Sequence, residues 1–261
     1  MDLKHASQIA EQAADRSRLV LLEAFGGRRE VFIKHDDSPV TDADRAAERA
    51  IREVLTAAFP EHGVIGEELG AERTEAEYCW MIDPIDGTVS FINGLPFSST
   101  LIALCRRGVP QVAVVDLPML GQRVTARVGQ GAWLNGRRLS IQEKFSPEQS
   151  IVCHSDRYVF ELGGYGALYR ELEDGLKFFR AYTDAFGHYL VSTGVAAVVV
   201  DSAMEVWDAA APTLIVQEAG GRVVRFKDPN DPNRLLVVSG NPEGVEWVCR
   251  HVERAGGRPL E

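Results

Sequence analysis

Hydrophobic positions in the first quarter of the chain recur at helical spacing. Ile9, Ala13, Leu19, Leu22 and Phe25 predict an amphipathic helix from about Leu3 to Phe25, stopped by Gly26-Gly27. Val31-Phe32-Ile33 reads as a short strand. The polar stretch from Lys34 to Asp44 leads into a second helix, with Ala47, Ile51, Val54 and Leu55 on one face, running to about Phe59 before Pro60. Thr41 and Asp44 stand at the spacing of a capping box at its start. Val64-Ile65 and the run ending at Trp80-Met81-Ile82 are strand-like, with polar loops between them.

From Phe97 to Ile141 the pattern is that of an antiparallel meander. Strand-like runs at Ser99–Cys105, Gln111–Leu117 and Arg123–Val128 are separated by turn signals at Arg107-Gly108, Leu120-Gly121 and Asn135-Gly136. After about Ser146 the rhythm changes. Strands at Ile151–His154, Lys177–Ala181, Ala196–Val200, Arg222–Phe226 and Leu235–Ser239 alternate with helices at Tyr158–Leu172, Asp184–Ser192, Trp207 to Ala219 and Pro242–Ala255. Phe226–Arg234 reads as a surface loop. The pattern therefore predicts an α/β protein with an α+β N-terminal half, residues 1–143, built on an antiparallel sheet. An α/β half, residues 144–261, follows.

Composition narrows the partners. The chain has 261 residues, 45% of them hydrophobic, enough to bury a sizeable core, and a formal net charge of −10. No run of five or more basic residues appears, which argues against nucleic acid or an anionic membrane as partner. The longest apolar run, Val195 to Val200, is far too short to span a bilayer, and the N-terminus lacks the pattern of a signal peptide. Cys79, Cys105, Cys153 and Cys249 form no CxxC pair and read as buried, reduced thiols. A cytoplasmic location is the resulting expectation.

The chemistry concentrates where an apolar strand ends in Asp83-Pro84-Ile85-Asp86-Gly87-Thr88. Two carboxylates three residues apart, a carbonyl and the free N–H groups of a Gly-Thr turn surround one point. Oxygen ligands of this kind suit a hard divalent cation such as Mg²⁺, and free N–H groups suit a phosphate. Val89-Ser90-Phe91-Ile92 reads as the start of a short helix. Asp44, Glu67-Glu68 and Asp208 stand beside other element ends. Taken singly they have simpler readings: Asp44 as a helix cap, Asp208 as a negative charge at a helix start, Glu68 as a surface residue.

Together these stretches resemble the inositol monophosphatase family of metal-dependent, lithium-sensitive phosphatases. The resemblance runs over Pro39-Val40-Thr41-Asp42-Ala43-Asp44, Gly66-Glu67-Glu68, Trp80 to Thr88, and Trp207-Asp208-Ala209-Ala210 through Glu218-Ala219-Gly220-Gly221. It implies a layered αβαβα architecture of the sugar-phosphatase kind, a small phosphate ester as substrate and a homodimer. It also implies site roles. Glu67, Asp83 and the Ile85 carbonyl would hold one Mg²⁺, and Asp83, Asp86 and Asp208 a second, with Glu67 helping with a third. Thr88, supported by Asp44, would orient or deprotonate the attacking water with Glu67. The Gly87 and Thr88 N–H groups would hold the phosphate. Val89-Ser90 departs from the family's usual Thr-Asn at that place. Trp80 and Trp207 read as packing beside the site, and Lys34 as a loop lysine or a weak attractor of phosphate.

The alcohol released depends on a stretch further on, Phe179 to Tyr189. Asp184 occupies a position that is usually small and neutral in inositol phosphatases, and the stretch resembles that of the family's histidinol-phosphate phosphatases. A carboxylate there, beside the helix start at Ala185, suits a substrate carrying an ammonium group. Asp201, seven residues before Asp208, aligns with a family acidic position that reaches the substrate's polar end. Simpler readings stand beside these: an N-cap for Asp184, a strand-end turn for Asp201, core positions for His188 and Tyr189. His154-Ser155-Asp156 borders the same region. The expectation is a Mg²⁺-dependent histidinol-phosphate phosphatase acting in histidine biosynthesis. An inositol-1-phosphate or other small sugar-phosphate phosphatase is the alternative, and a non-catalytic metal- or phosphate-binding regulator the remote one.

Overall fold

The computed structural model describes residues 1–25, 31–33, 39–182 and 184–260. The chain opens with helix α1 (Leu3–Phe25), then strands β1 (Val31–Ile33) and β2 (Pro39–Thr41), which pair antiparallel, and helix α2 (Asp42–Ala58). Next come β3 (Gly63–Gly66), β4 (Gly70–Glu72), β5 (Tyr78–Asp86), the short helix α3 (Thr88–Ile92) and the meander β6 (Ser99–Arg106), β7 (Val109–Leu117), β8 (Gln122–Arg127), β9 (Gly131–Leu134) and β10 (Arg137–Arg138). The second half contributes β11 (Ile151–His154), α4 (Arg157–Leu162), α5 (Gly166–Gly175), β12 (Phe178–Arg180), α6 (Asp184–Ser192), β13 (Val198–Met204), α7 (Val206–Glu218), β14 (Arg222–Lys227), β15 (Leu235–Gly240) and α8 (Pro242–Arg254).

Two sheets result. One has eight strands in the order β10-β9-β8-β7-β6-β5-β3-β4, antiparallel except for β3 beside β5; the other has five, in the order β12-β11-β13-β15-β14. The layers are α1 and α2, the eight-stranded sheet, α6 and α7, the five-stranded sheet, then α4, α5 and α8. This is the layered α/β arrangement expected. Helix α7 explains how the middle layer holds. Eight of its residues from Ala209 to Val216 are buried consecutively, so it is apolar on all sides, as a helix covered by a sheet on each face must be.

Several local expectations need correction. The buried face of α1 is lined by Ala6, Ala10, Ala13 and Ala14, while Leu19 and Leu22 face solvent; small side chains let the helix lie close on the sheet. The single helix expected over Tyr158–Leu172 is broken into α4 and α5. Gly164 adopts φ +74°, and a Cβ there would stand 2.5 Å from Pro229 Cγ, so the chain turns where only glycine fits. Strand β13 runs on to Met204, past the expected end at Val200. Strand β14 runs on to Lys227 with Phe226 in the core, and Asp228 is buried, so the stretch 226–234 expected as a surface loop is part strand and not exposed throughout. Gly26-Gly27 and residues 34–38 of the polar stretch 34–44, Lys34 included, lie outside the described residues. All four cysteines are free and buried, and burial pushes the Cys105 and Cys153 thiols up to about 12.

One buried ion network ties the first two layers together. Asp116, wholly buried on β7, accepts two hydrogen bonds from Arg18 of α1, at 2.6 and 3.0 Å, and one from Arg123 of β8 at 2.6 Å. Arg123 also pairs with Asp15 at 2.7 Å. Removing the shared carboxylate leaves two guanidinium groups facing one another in a poorly hydrated place. Asp116→Ala should therefore cost about 3–5 kcal/mol of stability, measured as a lowered urea midpoint with an unchanged slope. A loss below about 1 kcal/mol, the worth of an exposed pair, would show that the network is not what holds α1 to the sheet.

Candidate active site

Strand β5 lies between β3 and β6, and its last residues, from Ile82 to Asp86, are all buried. Side chains alternate along a strand, so two aspartates three residues apart should face opposite ways. They do not, because the pairing slips. Asp83 is opposite Leu101 and Asp86 opposite Ser99, so β5 carries one more residue than β6 over this stretch. The bulge falls at Pro84-Ile85, where proline has no N–H to lose. It turns both carboxylates into one cleft. The Ile85 N–H donates to Asp83 Oδ1 at 2.9 Å, and the Pro84 carbonyl accepts from Thr100 Oγ1 at 2.8 Å.

Other elements bring up the remaining carboxylates. Asp44, at the start of α2, accepts from the Thr41 N–H at 2.8 Å and the Thr41 hydroxyl at 2.6 Å, which completes the capping box. Its other oxygen lies 3.5 Å from Thr88 Oγ1, so cap and site roles are compatible. The Thr88 hydroxyl donates more closely to the Ile85 carbonyl, at 3.0 Å. The Glu67 N–H donates to the Ile82 carbonyl at 3.1 Å, which fixes the β3–β4 turn against β5. Asp208 is the third residue of α7 and accepts from the Glu205 N–H at 2.9 Å.

The charges of these groups act on one another. Burial, then the charges of Glu67, Asp86 and Asp208, push the Asp83 carboxyl well above the ordinary range. Burial raises Asp86 as well, followed by Asp184 and Asp208. Asp208 is raised by burial and by Glu67, and Asp44 by burial, with the Thr41 hydrogen bonds opposing. Among the described residues no three His, Cys, Asp or Glu side chains close on one point as a formed metal cage. The donors are nevertheless all oxygen, mostly carboxylate, drawn from four separate elements and coupled through a cleft that penalises their charge. That set fits hard divalent cations, which would relieve each of these shifts.

Gly87 adopts φ +80° at the start of α3, and a Cβ there would stand 3.0 Å from Asp184 Oδ2. Asp184 thus lies beside the Gly87-Thr88 turn, half-buried, itself at φ +58°. The buried Ala185 N–H donates to Asp86 Oδ2 at 2.9 Å, so the start of α6 is satisfied from the other half of the chain. Asp201 is buried on β13 at a second bulge rather than in a strand-end turn, with Oδ2 3.6 Å from His188 Nε2. His188 is a core residue whose Nδ1 meets Ser239 Oγ at 3.1 Å. Thus Asp44, Glu67, Asp83, Ile85, Asp86, Gly87, Thr88, Asp184, Ala185 and Asp208 converge, with Asp201 adjoining through Asp208. The stretch 154–156 does not. His154 stacks on Phe179 at 3.7 Å and donates from Nδ1 to the Ser155 carbonyl at 2.6 Å; Asp156 caps α4.

Three supports carried no local signal. Ser99 donates to Asp86 Oδ2 at 2.9 Å from the neighbouring strand. Glu48, wholly buried, accepts from the Glu68 N–H at 2.7 Å and holds Arg52 at 2.7 Å, so α2 fixes the turn that carries Glu67. Phe97 packs on Phe186 at 4.7 Å, with Tyr182 edge-on at 6.2 Å, which gives the Asp184 side an aromatic wall. Trp80 is core, as expected.

Residues 2–256 match the model of the inositol monophosphatase family. The chain is 39% identical over 217 residues to a histidinol-phosphatase of Chlorobaculum parvum, covering 82% of this chain and 83% of that one. It is 34% identical over 246 residues to the histidinol-phosphatase of Mycobacterium tuberculosis, covering 92% and 93%. The crystal structure of the extragenic suppressor protein suhB from Bartonella henselae superposes with a TM-score of 0.87 at 27% identity, covering 96% and 99%. The chain belongs to the inositol monophosphatase family. It is a phosphoric monoester hydrolase of a generally metal-dependent kind.

The raised carboxylates give a pH signature. Each binds a proton more readily in the folded chain than in the unfolded one. Between the ordinary carboxylate value of about 4 and the raised values, folding takes up protons, so in chelator stability falls as pH rises through that window. A divalent cation offsets this only where the carboxylates are ionised. The rise in Tm on adding Mg²⁺ should be larger at about pH 8 than at about pH 5; equal rises would remove the carboxylate cluster as the binding site.

Proposed function

We propose that the protein is a Mg²⁺-dependent phosphomonoesterase that converts L-histidinol phosphate and water to L-histidinol and phosphate, a step of histidine biosynthesis. The observation that carries the choice of alcohol is the Asp184 carboxylate beside the Gly87-Thr88 turn. An ester whose phosphate sits at that turn would place its α-ammonium group within reach of Asp184. The aromatic wall of Phe97, Phe186 and Tyr182 offers a surface for a flat imidazole. The resemblance to two histidinol-phosphatases over more than four-fifths of the chain supports the same reading.

In this reading Glu67, Asp83, the Ile85 carbonyl, Asp86 and Asp208 hold two or three Mg²⁺ ions. When bound, these ions polarise the phosphoryl oxygens, lower the pKa of water and stabilise the leaving alkoxide. The Gly87 and Thr88 N–H groups hold the phosphate. The Thr88 hydroxyl, steadied by Asp44, orients the attacking water, and Glu67 accepts a proton from it. The water oxygen attacks phosphorus in line, the ester P–O bond breaks, and the alkoxide is protonated to release the alcohol with no covalent enzyme intermediate. Asp184 and Asp201 hold the alcohol's cationic and polar end, with Ala185 leaving room at the helix start. We further propose that residues 1–143 and 144–261 are two halves meeting at this cleft, that the protein works in the cytoplasm as a homodimer, and that lithium inhibits it. Among the described residues no helix is long and apolar enough to cross a membrane.

Two substitutions test the reading. Asp184→Asn should lower kcat/KM for histidinol phosphate by roughly tenfold to a hundredfold, the worth of one charge-assisted hydrogen bond. The value for inositol 1-phosphate should change by less than about threefold. An equal effect on both esters would transfer the choice of substrate elsewhere and favour the sugar-phosphate alternative. Asp83→Asn keeps an oxygen for the Ile85 N–H but removes a charge from the cluster. It should abolish Mg²⁺-dependent turnover while raising the Tm measured in chelator, because a buried repulsion is relieved. Turnover that survived would place the metal centre elsewhere.

A further inference from the structure

A second cleft lies on the far side of the first turn of α7. It measures about 360 Å³ and is lined by Met81, Val109, Pro110, Val206, Ala209 and Leu235, together with the side chain of Arg225 from β14. Its walls are apolar and its rim exposes Val109 and Val206. Among the described residues Arg225 is the sole charged side chain lining it. The guanidinium is partly withdrawn from water, and burial lowers its pKa. Among the described residues it makes one hydrogen bond, from an Nη to Thr213 Oγ1 at 2.9 Å, and no carboxylate stands within ion-pair distance. Four other arginines withdrawn from water, Arg18, Arg52, Arg123 and Arg234, all have carboxylate partners.

An arginine carries five N–H donors in a planar fork that matches a carboxylate, and a withdrawn cation without a counter-charge is costly. The cleft has the volume of a small-ligand site, with apolar walls and few polar groups. A phosphate dianion would find one guanidinium and otherwise greasy walls, a poor exchange for its hydration. On α7, Val206 and Ala209 are three residues apart and share a face, while Asp208 projects elsewhere into the carboxylate cluster. We propose that this cleft binds a free small monocarboxylate with an apolar body, its carboxylate on Arg225 and its chain along Met81, Pro110 and Val206, separately from the phosphatase site.

Titration calorimetry of the full chain in Mg²⁺ tests this with hexanoate as probe and hexan-1-ol as its uncharged counterpart. Hexanoate should bind once per chain, with hexan-1-ol at least roughly tenfold weaker. Arg225→Met should weaken hexanoate by the same factor. Val109→Asp, at an exposed rim position, should weaken it too by setting a like charge at the mouth. Thermal melting identifies any variant that fails to fold, and Val109→Asp then decides alone. Three results would each overturn the proposal. One is hexanoate binding unchanged in a folded variant, which would place the carboxylate on the metals. Another is no binding to the wild type. The third is self-association in sedimentation that Arg225→Met abolishes, which would mean that a second copy covers the guanidinium.

Discussion

Like charges must be held close together for this cleft to exist, and the β5 bulge is what holds them. A regular strand would send Asp83 and Asp86 to opposite faces of the sheet. One extra residue at Pro84-Ile85 turns them together, and the burial of the strand end fixes them there. The cost appears as carboxyls whose pKa values are driven up by burial and by their neighbours. It is offset in part by neutral donors. Ile85 N–H holds Asp83, Ser99 and Ala185 hold Asp86, Glu205 N–H holds Asp208, and Thr41 holds Asp44. Each carboxylate spends one oxygen on a fixed partner and keeps the other for the cleft.

This division explains what could be read from the chain alone. The residues of the Asp83 to Thr88 turn, the Thr41-Asp44 box and the start of α7 are local motifs, each written within a few neighbouring positions. Helix and strand placement followed for the same reason, since periodicity is local. The supports are not local. Ser99 reaches Asp86 across a strand pair, Glu48 holds a turn 20 residues away, and Asp116 gathers Arg18 from 98 residues back. No spacing rule links such positions. The buried face of α1 departs from the hydrophobic pattern because alanine buries well while carrying little hydrophobic signal, whereas Leu19 and Leu22 carry the signal and face water. The pattern predicts one helix across the break between α4 and α5, although Gly163-Gly164 marks the place. The cause of the break, the approach of Pro229, was not legible.

Asp86 joins the two halves of the chain. Its Oδ2 accepts both Ser99 Oγ from the eight-stranded sheet and the Ala185 N–H at the start of α6. A carboxylate at a helix N-terminus is favoured by the unsatisfied N–H groups there. The same side chain is among those proposed to hold metal. Any shift in the charge on Asp86 is therefore felt at the residue next to Asp184, where the substrate's alcohol is proposed to lie. Asp184 in turn is the first charge after burial to raise Asp86. Specificity and catalysis would then be coupled through two carboxylates rather than set by separate walls of one pocket. An ammonium group arriving at Asp184 would neutralise a charge that opposes ionisation of Asp86, and so favour the form of Asp86 that binds a cation. A neutral polyol at the same place would satisfy hydrogen bonds without relieving that charge. On this argument a cationic alcohol does more than fit the cleft: its charge completes the balance that the carboxylates of β5 leave open.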